Sequence, residues 1–482
     1  MHKKSSLKHA QFKHPKGLYV LFFAELWERF GFYSVQALLV LFLIKFYSYT
    51  DSQAYAFFGA YSALIYSSPV IGGYLADKVL GFQKAIILGA VLYILGYIGL
   101  ATLKTDFFYL SLSLLIAGNG FFKGNVSTLL GMLYEKNDIR RDSGFTIFYM
   151  GINMGIFLSP ILCTYAAVNY GWGYGFSLAA VGMLIGLINC LLKFKTLQNH
   201  GLSPKTSLNT PYYKILFLLL LSIAIWIGAK LLNYPQFINV GMIVFAVFIL
   251  AGMAIIALKN TTEKRNKFFA LLLLMVVSIL FWTFYFQAYL SITLFIERCV
   301  DRVIWGKQIP TGMLSSAIGF FNILLAPFFA YVWLRYSNSR WMPSNSTKFA
   351  LGLIFVSFTF LILVIGSHFS KIHKVQLIWV ILSYLLTSCG ELCLSPIGLS
   401  LVSALAPPNF VGMLMGVWFM TLAAGYGIAG YIAQYTQIST TITDLVTIKQ
   451  LYTSVFSEFG LIGLGCGLLV LLFTKPLQRL MK

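Results

Sequence analysis

The stretch that decides the fold is residues 18–43, LYVLFFAELWERFGFYSVQALLVLFL, near the start of a chain of 482 residues. A helix rises about 1.5 Å per residue, so an apolar run of this length crosses the ~30 Å hydrocarbon core of a bilayer. The run nevertheless contains Glu25, Glu28 and Arg29. Charged side chains are costly at membrane depth, so they predict a polar cavity inside a bundle of helices.

Composition extends this interpretation to the whole chain. The sequence is 59% hydrophobic and 10% charged, whereas soluble domains are about 45–50% apolar and about 25% charged. We therefore exclude a soluble fold and predict an all-α polytopic membrane protein. Apolar runs bounded by charge, Pro or Gly predict fourteen spans, at 17–45, 53–76, 84–103, 108–133, 144–168, 173–193, 212–232, 238–258, 268–296, 311–334, 348–368, 375–404, 411–435 and 452–474.

Six spans, two spans and six spans follow one another, an arrangement that resembles the two six-helix bundles of the major facilitator fold with two extra inserted helices. The predicted organisation is an N-terminal segment (1–16), an N-terminal bundle (17–195), a linker with the two extra helices (196–266), a C-terminal bundle (267–475) and a tail (476–482). The inserted pair contains no acidic residue and is expected to face lipid.

The net charge of +21 does not indicate a nucleic-acid partner, because the basic residues lie in short loops between spans. Of the 35 Lys and Arg, 24 lie on the side of the N-terminus and 9 on the other. The positive-inside rule then places both termini in the cytoplasm of a multi-pass protein of the cell (inner) membrane. The six cysteines show no metal-ligand spacing, so we expect no metal.

Most of the chemistry is expected at five ionisable residues inside predicted spans: Glu25, Glu28, Arg29, Lys123 and Glu391. Positions 25, 28/29, 32/33 and 36 form one stripe of a helix. Glu25 and Arg29 could be a purely structural i,i+4 ion pair, but a second carboxylate in the same turn leaves charge to be balanced.

Lys123 lies between glycines in Gly118–Asn125, where close backbones are expected and an anionic partner is needed. Glu391 shares a helix face with Ser388 and Ser395. The alternative for Glu391 is a carboxyl that is hydrogen-bonded to nearby hydroxyls for packing alone.

Three buried carboxylates and two buried cations leave one negative charge, which a proton or a cationic substrate group could balance. Desolvation disfavours an uncompensated carboxylate, and none of the six His falls in the middle of a span. Carboxylates are therefore the expected proton carriers. A zwitterion would also fit, with its carboxylate between Arg29 and Lys123 and its amine on Glu391.

Weaker candidates accompany these five. Tyr149 and Asn153 share one face of the span 144–168, while Tyr66 and Trp418 are single aromatics for which packing is at least as good an interpretation. Asp77, in the turn 72–84, is expected to cap or pair with a neighbouring helix end, in a gating or packing role.

Several motifs in order resemble the proton-dependent oligopeptide transporter (POT/PTR) family of the major facilitator superfamily, close to its bacterial di- and tripeptide permeases. The stretch Glu25-x-x-Glu28-Arg29-Phe30 is similar to the family's ExxERFxYY signature. The other motifs are Gly72–Lys84, Gly118–Asn125, Phe148–Gly155 (FYxxINxG), Phe281-Trp282 with Gln287, Gly390-Glu391-Leu392 with Pro396, and Gly416–Phe419.

The resemblance implies a symporter that imports di- and tripeptides by alternating access, is coupled to protons, needs no cofactor and is not an enzyme. Arg29 and Lys123 would bind the peptide carboxylate and Glu391 the amine. The remaining implied roles are contacts to the peptide backbone (Asn153, Tyr66), a side-chain pocket (Trp418), a further substrate contact (Ser395), proton coupling (Glu25, Glu28, Lys123) and gating or packing (Tyr33, Asp77, Tyr149).

Four positions depart from the family pattern. Phe32 replaces the first signature Tyr, Gln36 stands where many members have Arg, Phe286 replaces a glutamate, and Ile318 replaces an asparagine. The last two are expected to make the C-terminal half of the cavity more apolar.

Other classes of protein fit less well. An intramembrane enzyme would need a nucleophile–base pair at depth, and a channel would need a selectivity ring. Import of another small zwitterion, a single amino acid or a peptide-like drug, stays open. We expect a functional monomer whose partners are substrate, protons and lipid.

Overall fold

The computed structural model describes residues 13–135, 138, 140–197, 200–204, 210–259, 261–336, 343–405, 411–439 and 441–481. Within these residues the chain forms fourteen helices of at least 20 residues. They are α1 (Lys16–Lys45), α2 (Asp51–Leu75), α3 (Phe82–Ala101), α4 (Thr105–Met132), α5 (Arg141–Tyr170), α6 (Trp172–Lys193), α7 (Pro211–Leu231), α8 (Pro235–Leu258), α9 (Thr262–Tyr285), α12 (Ser316–Arg335), α13 (Asn345–Phe369), α14 (Leu377–Leu405), α15 (Val411–Ala433) and α16 (Leu445–Leu472). Three shorter helices are α10 (Ser291–Cys299), α11 (Thr311–Leu314) and α17 (Thr474–Met481).

Each predicted span overlaps one long helix, and the all-α membrane fold is confirmed. Twelve helical segments of the described chain are long and apolar enough to cross a bilayer. The two long helices outside that set are α2 and α4, which have 25 and 28 residues and contain more polar positions.

Helix ends follow from local sequence. The Ser344 side chain accepts a hydrogen bond from Thr347 N (3.1 Å) and caps α13, while Asp444 Oδ2 accepts one from Thr447 N (2.8 Å) and caps α16. Pro211 and Pro235 begin α7 and α8, where a missing N–H costs nothing. Such caps satisfy donors that a helix leaves unpaired at its first turn.

The chain divides into two compact units. The first unit comprises Met1–Val35 and Ser68–Asn233, and the second comprises Gln36–Ser67 and Tyr234–Lys482. In the first, α3 packs against α4 and α6; in the second, α13 packs against α14 and α16. These units differ from the predicted N-terminal bundle (17–195) and C-terminal bundle (267–475). The two bundles stay a prediction.

Each unit contains one of the two inserted helices, α7 in the first and α8 in the second. Helix α7 packs against α4, where Ser113 Oγ donates to the Ile225 carbonyl at 2.7 Å. Helix α8 packs against α9 and α15 of the second unit, and Asn239 Nδ2 donates to the Ala56 carbonyl at 2.9 Å. Most of their other side chains are exposed, as expected for helices in contact with lipid.

Strands are confined to short loops of the second unit. Strand β1 (Val300–Asp301) pairs in parallel with β4 (Val375–Gln376), and β2 (Val303–Ile304) pairs antiparallel with β3 (Lys307–Gln308). These pairs close the loops that follow α10 and precede α14.

Candidate functional site

A buried ion cluster lies on α1 in the first unit. The Arg29 guanidinium donates through Nη2 to Glu28 Oε1 at 2.5 Å and through Nε to Glu28 Oε2, as a two-pronged fork. Glu25 Oε1 lies 3.5 Å from Arg29 Nε. All three side chains are at most 3% exposed. The expected Glu25–Arg29 pair is present, but the neighbouring Glu28 is the closer partner of Arg29.

The cluster continues into α3 and α4 through residues that sequence reasoning missed. The Tyr93 hydroxyl donates to Glu28 Oε1 at 2.7 Å and lies 2.9 Å from Asn119 Oδ1. Asn119 Nδ2 in turn donates to Ser68 Oγ at 3.4 Å. The sequence could have indicated Asn119 as a site residue, since it lies in the motif Gly118–Asn125. Nothing local distinguishes Tyr93 from the other 27 tyrosines.

Lys123 lies beside an aromatic ring that also contacts this cluster. The Phe32 ring centroid lies 4.7 Å from Arg29 Cζ and 5.7 Å from Lys123 Nζ, so one ring contacts both cations. Lys123 also interacts electrostatically with Glu28 and Glu25. Substitution of the signature Tyr by Phe therefore removes a hydroxyl but keeps the ring face.

Glycines allow the helices around Lys123 to approach closely, as predicted. A Cβ on Gly72 of α2 would lie 2.0 Å from the Gly120 carbonyl oxygen of α4. A Cβ on Gly118 would lie 3.0 Å from the Gly89 carbonyl oxygen of α3. Neither helix can move a backbone carbonyl aside as it could a flexible side chain, so these glycines determine how closely α2 and α3 pack against α4.

The segment Phe148–Gly155 of α5 packs against α1 directly behind Arg29. A Cβ on Gly155 would lie 2.7 Å from Arg29 Cβ. Asn153 and Tyr149 do share one face, since Asn153 Nδ2 donates to the Tyr149 carbonyl at 3.1 Å. Asn153 is 7% exposed and Tyr149 is 47% exposed. Tyr33, on α1, is half-buried.

In the second unit, Glu391 of α14 is held by two donors. Its Oε2 accepts from the Tyr285 hydroxyl at 2.7 Å and from Asn322 Nδ2 at 2.9 Å. Among the described residues no donor lies within hydrogen-bond distance of Glu391 Oε1. Ser395, on the same helix face, is half-buried. Asn322 supplies this amide one helical turn after Ile318, and the expectation that Phe286 and Ile318 make the C-terminal half of the cavity more apolar stays a prediction.

Aromatic rings pack beside one another in the second unit. The Phe286 ring stacks on Tyr426 with a centroid distance of 3.3 Å, and Tyr66 lies 5.0 Å from Tyr426. The Tyr426 hydroxyl donates to Gln36 Oε1 at 3.3 Å. Phe286, in place of a glutamate, thus joins an aromatic stack and leaves no carboxylate at that position.

Two further candidates have packing contacts here. Trp418 is 3% exposed, and a Cβ on Gly398 would lie 2.0 Å from its ring; its role in lining a pocket stays a prediction. Among the described residues, Asp77 has no ion pair with a neighbouring helix end, and its expected gating or packing role stays a prediction. It forms an exposed 3.0 Å ion pair with the adjacent Lys78, because both lie in the π-helical turn Ala76–Leu80 that follows α2.

Fourteen long helices and a buried carboxylate–guanidinium cluster define a polytopic membrane transporter of the major facilitator kind. Comparison with known proteins gives the family. A model of the POT family matches residues 83–452, and the chain belongs to that family. It is therefore a permease and not an enzyme.

Two curated relatives cover nearly the whole chain. Dipeptide and tripeptide permease A of Escherichia coli (strain K12) is 34% identical over 476 residues, which are 97% of this chain and 94% of the relative. Dipeptide and tripeptide permease B of Salmonella typhimurium is 32% identical over 472 residues, 97% of this chain and 96% of the relative.

Three solved structures are similar to this chain in fold and in sequence. A mutant of the peptide transporter POT in complex with alafosfalin superposes with a TM-score of 0.86 at 33% identity, covering 98% of this chain and 96% of that one. A POT family transporter in complex with 5-aminolevulinic acid gives 0.84 at 30% identity, covering 97% of both chains. Tetrameric PepTSo2 gives 0.84 at 29% identity, covering 96% and 99%.

Proposed function

We propose that the protein imports di- and tripeptides together with protons by alternating access. The observation that carries the proposal is the Glu28–Arg29 fork with Lys123 beside the same Phe32 ring as Arg29. Two cations, Arg29 and Lys123, thus lie close to two carboxylates that can accept protons, those of Glu25 and Glu28. Membrane-buried charges of this kind commonly mark ion and substrate pathways.

The peptide carboxylate binds Arg29 and Lys123. Arginine recognises carboxylates best through paired N–H donors, and Glu28 occupies two of the Arg29 donors in this structure. A proton on Glu28 removes the negative charge that holds the fork and leaves a bond to a neutral carboxyl. The guanidinium is then released for the substrate, so proton binding and peptide binding favour each other.

Glu25 and Glu28 carry the proton, and Lys123 couples its transfer to the substrate. Glu25 Oε2 is buried without a hydrogen-bond donor among the described residues. Leaving such an oxygen unsatisfied costs about 1–3 kcal/mol, more for a charged group. A proton bound at Glu25 removes the charge from the carboxylate of the cluster that accepts fewer hydrogen bonds.

Glu391 binds the peptide amine through the oxygen that Tyr285 and Asn322 leave open. Those two donors orient the carboxylate through Oε2, and an ammonium group would add the missing donor on Oε1. Asn153 and Tyr66 bind the peptide backbone, while Ser395 and Trp418 line the side-chain pocket. Tyr33, Asp77 and Tyr149 act in gating or packing.

The protein lies in the inner membrane with both termini in the cytoplasm and works as a monomer with protons as its coupling ion and no cofactor. The excess of Lys and Arg on the side of the N-terminus supports this orientation. A single chain carries both the carboxylate-binding and the amine-binding groups, which supports a functional monomer.

A second candidate function is symport of another small zwitterion. The observation in its favour is the structural relative solved with 5-aminolevulinic acid, which carries an amine and a carboxylate but no peptide bond. Single amino acids and peptide-like drugs belong to the same class of ligand.

Uptake in proteoliposomes distinguishes the two candidates. A labelled dialanine is supplied under an inward proton gradient, and unlabelled dipeptides, tripeptides, single amino acids and 5-aminolevulinic acid are added as competitors. We expect di- and tripeptides to compete and single amino acids to fail. Competition by amino acids or 5-aminolevulinic acid at equal or lower concentration would favour the second candidate instead.

A further inference from the structure

We propose that the second unit binds the phosphate group of an anionic phospholipid at Lys348, beside Trp333. Lys348 lies in the first turn of α13 and is 6% exposed. Its Nζ lies 4.6 Å from the centroid of the Trp333 ring on α12. The ring holds the ammonium group by a cation–π contact, which does not neutralise its charge.

The charge of Lys348 has no anionic partner in the described part of the chain. Among those residues no carboxylate lies within ion-pair distance of Lys348, and its Nζ donates no hydrogen bond. The sequence from 302 to 390 contains no Asp or Glu at all. Buried charges are normally paired or hydrogen-bonded because their desolvation is costly.

Another buried lysine of the same unit shows the usual arrangement. Lys449 is 4% exposed, and its Nζ donates to the carbonyls of Lys371 and of His373, the latter at 2.9 Å. The fold thus satisfies one buried ammonium with backbone oxygens and leaves the other with an aromatic ring only. An external anion at Lys348 would complete its coordination.

A cavity lies beside Trp333, the ring that contacts Lys348. It has a volume of about 500 Å³ and is lined by Val332, Trp333, Tyr336 and Pro343. Trp333 therefore contacts both the cavity and Lys348. The cavity is large enough for a phosphate with part of its glycerol group, and the first turn of α13 begins two residues after Pro343.

Two more features of that turn favour an anion. Ser346 is fully buried, and its Oγ has no hydrogen-bond partner among the described residues. The N-terminus of a 25-residue helix adds partial positive charge. A hydroxyl, an ammonium and a helix N-terminus are the groups that bind phosphate in proteins.

The surroundings indicate a lipid phosphate and not a soluble one. On α12, next to the cavity, Phe328, Tyr331 and Leu334 are 59%, 64% and 74% exposed. In a membrane-spanning helix such side chains face acyl chains. Trp333 near the end of α12 and Lys348 in the first turn of α13 match the residues that contact headgroups at the membrane surface. The absence of nearby acidic residues favours a headgroup with net negative charge.

The test measures lipid retained by the full-length purified protein in native mass spectrometry. Phosphatidylglycerol and phosphatidylcholine with the same acyl chains are added separately. We expect wild type to retain phosphatidylglycerol preferentially, and Lys348→Gln to lower that retention about fivefold, the effect of one basic residue at an anionic surface. Lys348→Arg should keep it. Lys475→Gln, which removes an exposed lysine of α17, is the control for charge alone and should leave retention unchanged.

Each other outcome overturns the proposal. Unchanged retention in Lys348→Gln, or an equal loss in Lys475→Gln, would show that Lys348 does not bind the lipid. Equal retention of phosphatidylcholine would exclude a requirement for anionic charge. Displacement of phosphatidylglycerol by glycerol 3-phosphate would assign the site to a soluble phosphate.

A second variant keeps the test decisive if Lys348→Gln does not fold. Trp333→Leu retains the charge but removes the ring that positions it, and we expect a similar loss of phosphatidylglycerol retention. Normal retention in Trp333→Leu would contradict the site. In detergent without lipid, Lys348→Gln should melt no earlier than wild type, because it removes a buried charge without a partner.

Discussion

The substitution Gly155→Ala tests whether α5 positions Arg29. The new Cβ would lie 2.7 Å from Arg29 Cβ, 2.9 Å from the Leu26 carbonyl oxygen and 3.0 Å from Phe30 N. Two of these three atoms belong to the α1 backbone, so no side-chain rotation relieves the contact. Helix α5 must move away from α1, and overpacking of this kind costs about 1–3 kcal/mol.

The displacement would also change the carboxylate site. Moving α5 alters the wall behind Arg29, and a misplacement of about 1 Å can lower a rate about 100-fold in a positioned site. We expect Gly155→Ala to melt at a lower temperature in detergent and to show strongly reduced dipeptide uptake. Both quantities are measured on the same preparation, by thermal unfolding and by uptake in proteoliposomes.

Gly241→Ala is the matched control. Gly241 lies in α8, and a Cβ there would meet no atom within 4 Å. Since Ala favours a helix over Gly by about 1 kcal/mol, this variant should be at least as stable as wild type and transport normally. Equal melting temperatures for Gly155→Ala and Gly241→Ala would refute the close contact between α5 and Arg29.

Three other predictions concern the substrate amine, the proton stoichiometry and a helix cap. N-acetylated dipeptides should compete poorly with their free-amine parents, because Glu391 binds the amine; equal competition would give Glu391 another role. Reversal potentials should give about one proton per neutral dipeptide, since Phe286 supplies no carboxylate and Glu391 binds the amine, which leaves the α1 carboxylates as carriers; a value of two would require another proton site. Asp444→Ala should destabilise the protein by removing the α16 cap. Thr447 bonds lower the pKa of Asp444, so the stabilisation is present above its unfolded pKa and is lost as pH falls through the folded value. Thermal melts of both proteins against pH should converge in acid, and a pH-independent difference would contradict this.

The helices and the buried charges could be predicted because both leave local signals in the sequence. An apolar run long enough to cross a bilayer is visible residue by residue, and a charge inside it is costly wherever the helix packs. Glu25, Glu28 and Arg29 are therefore predictable as a group from the sequence alone.

The partners of those charges could not be predicted, because they come from other helices. Tyr93, Tyr285 and Asn322 reach the carboxylates only through the packing register of α3, α9 and α12. The sequence also did not predict that Arg29 pairs more closely with Glu28 than with Glu25. Adjacent residues seldom face each other on a helix, yet these two long side chains bend to meet within the bundle.

The central claim is that the α1 carboxylates couple proton entry to peptide import. It is tested most directly by Glu28→Gln and Glu25→Gln in proteoliposomes, with two measurements on each variant. One is uptake of a labelled dipeptide under an inward proton gradient, and the other is exchange of labelled for unlabelled dipeptide without a gradient. We predict that each substitution abolishes driven uptake and preserves exchange. Undiminished driven uptake in both variants would contradict the account.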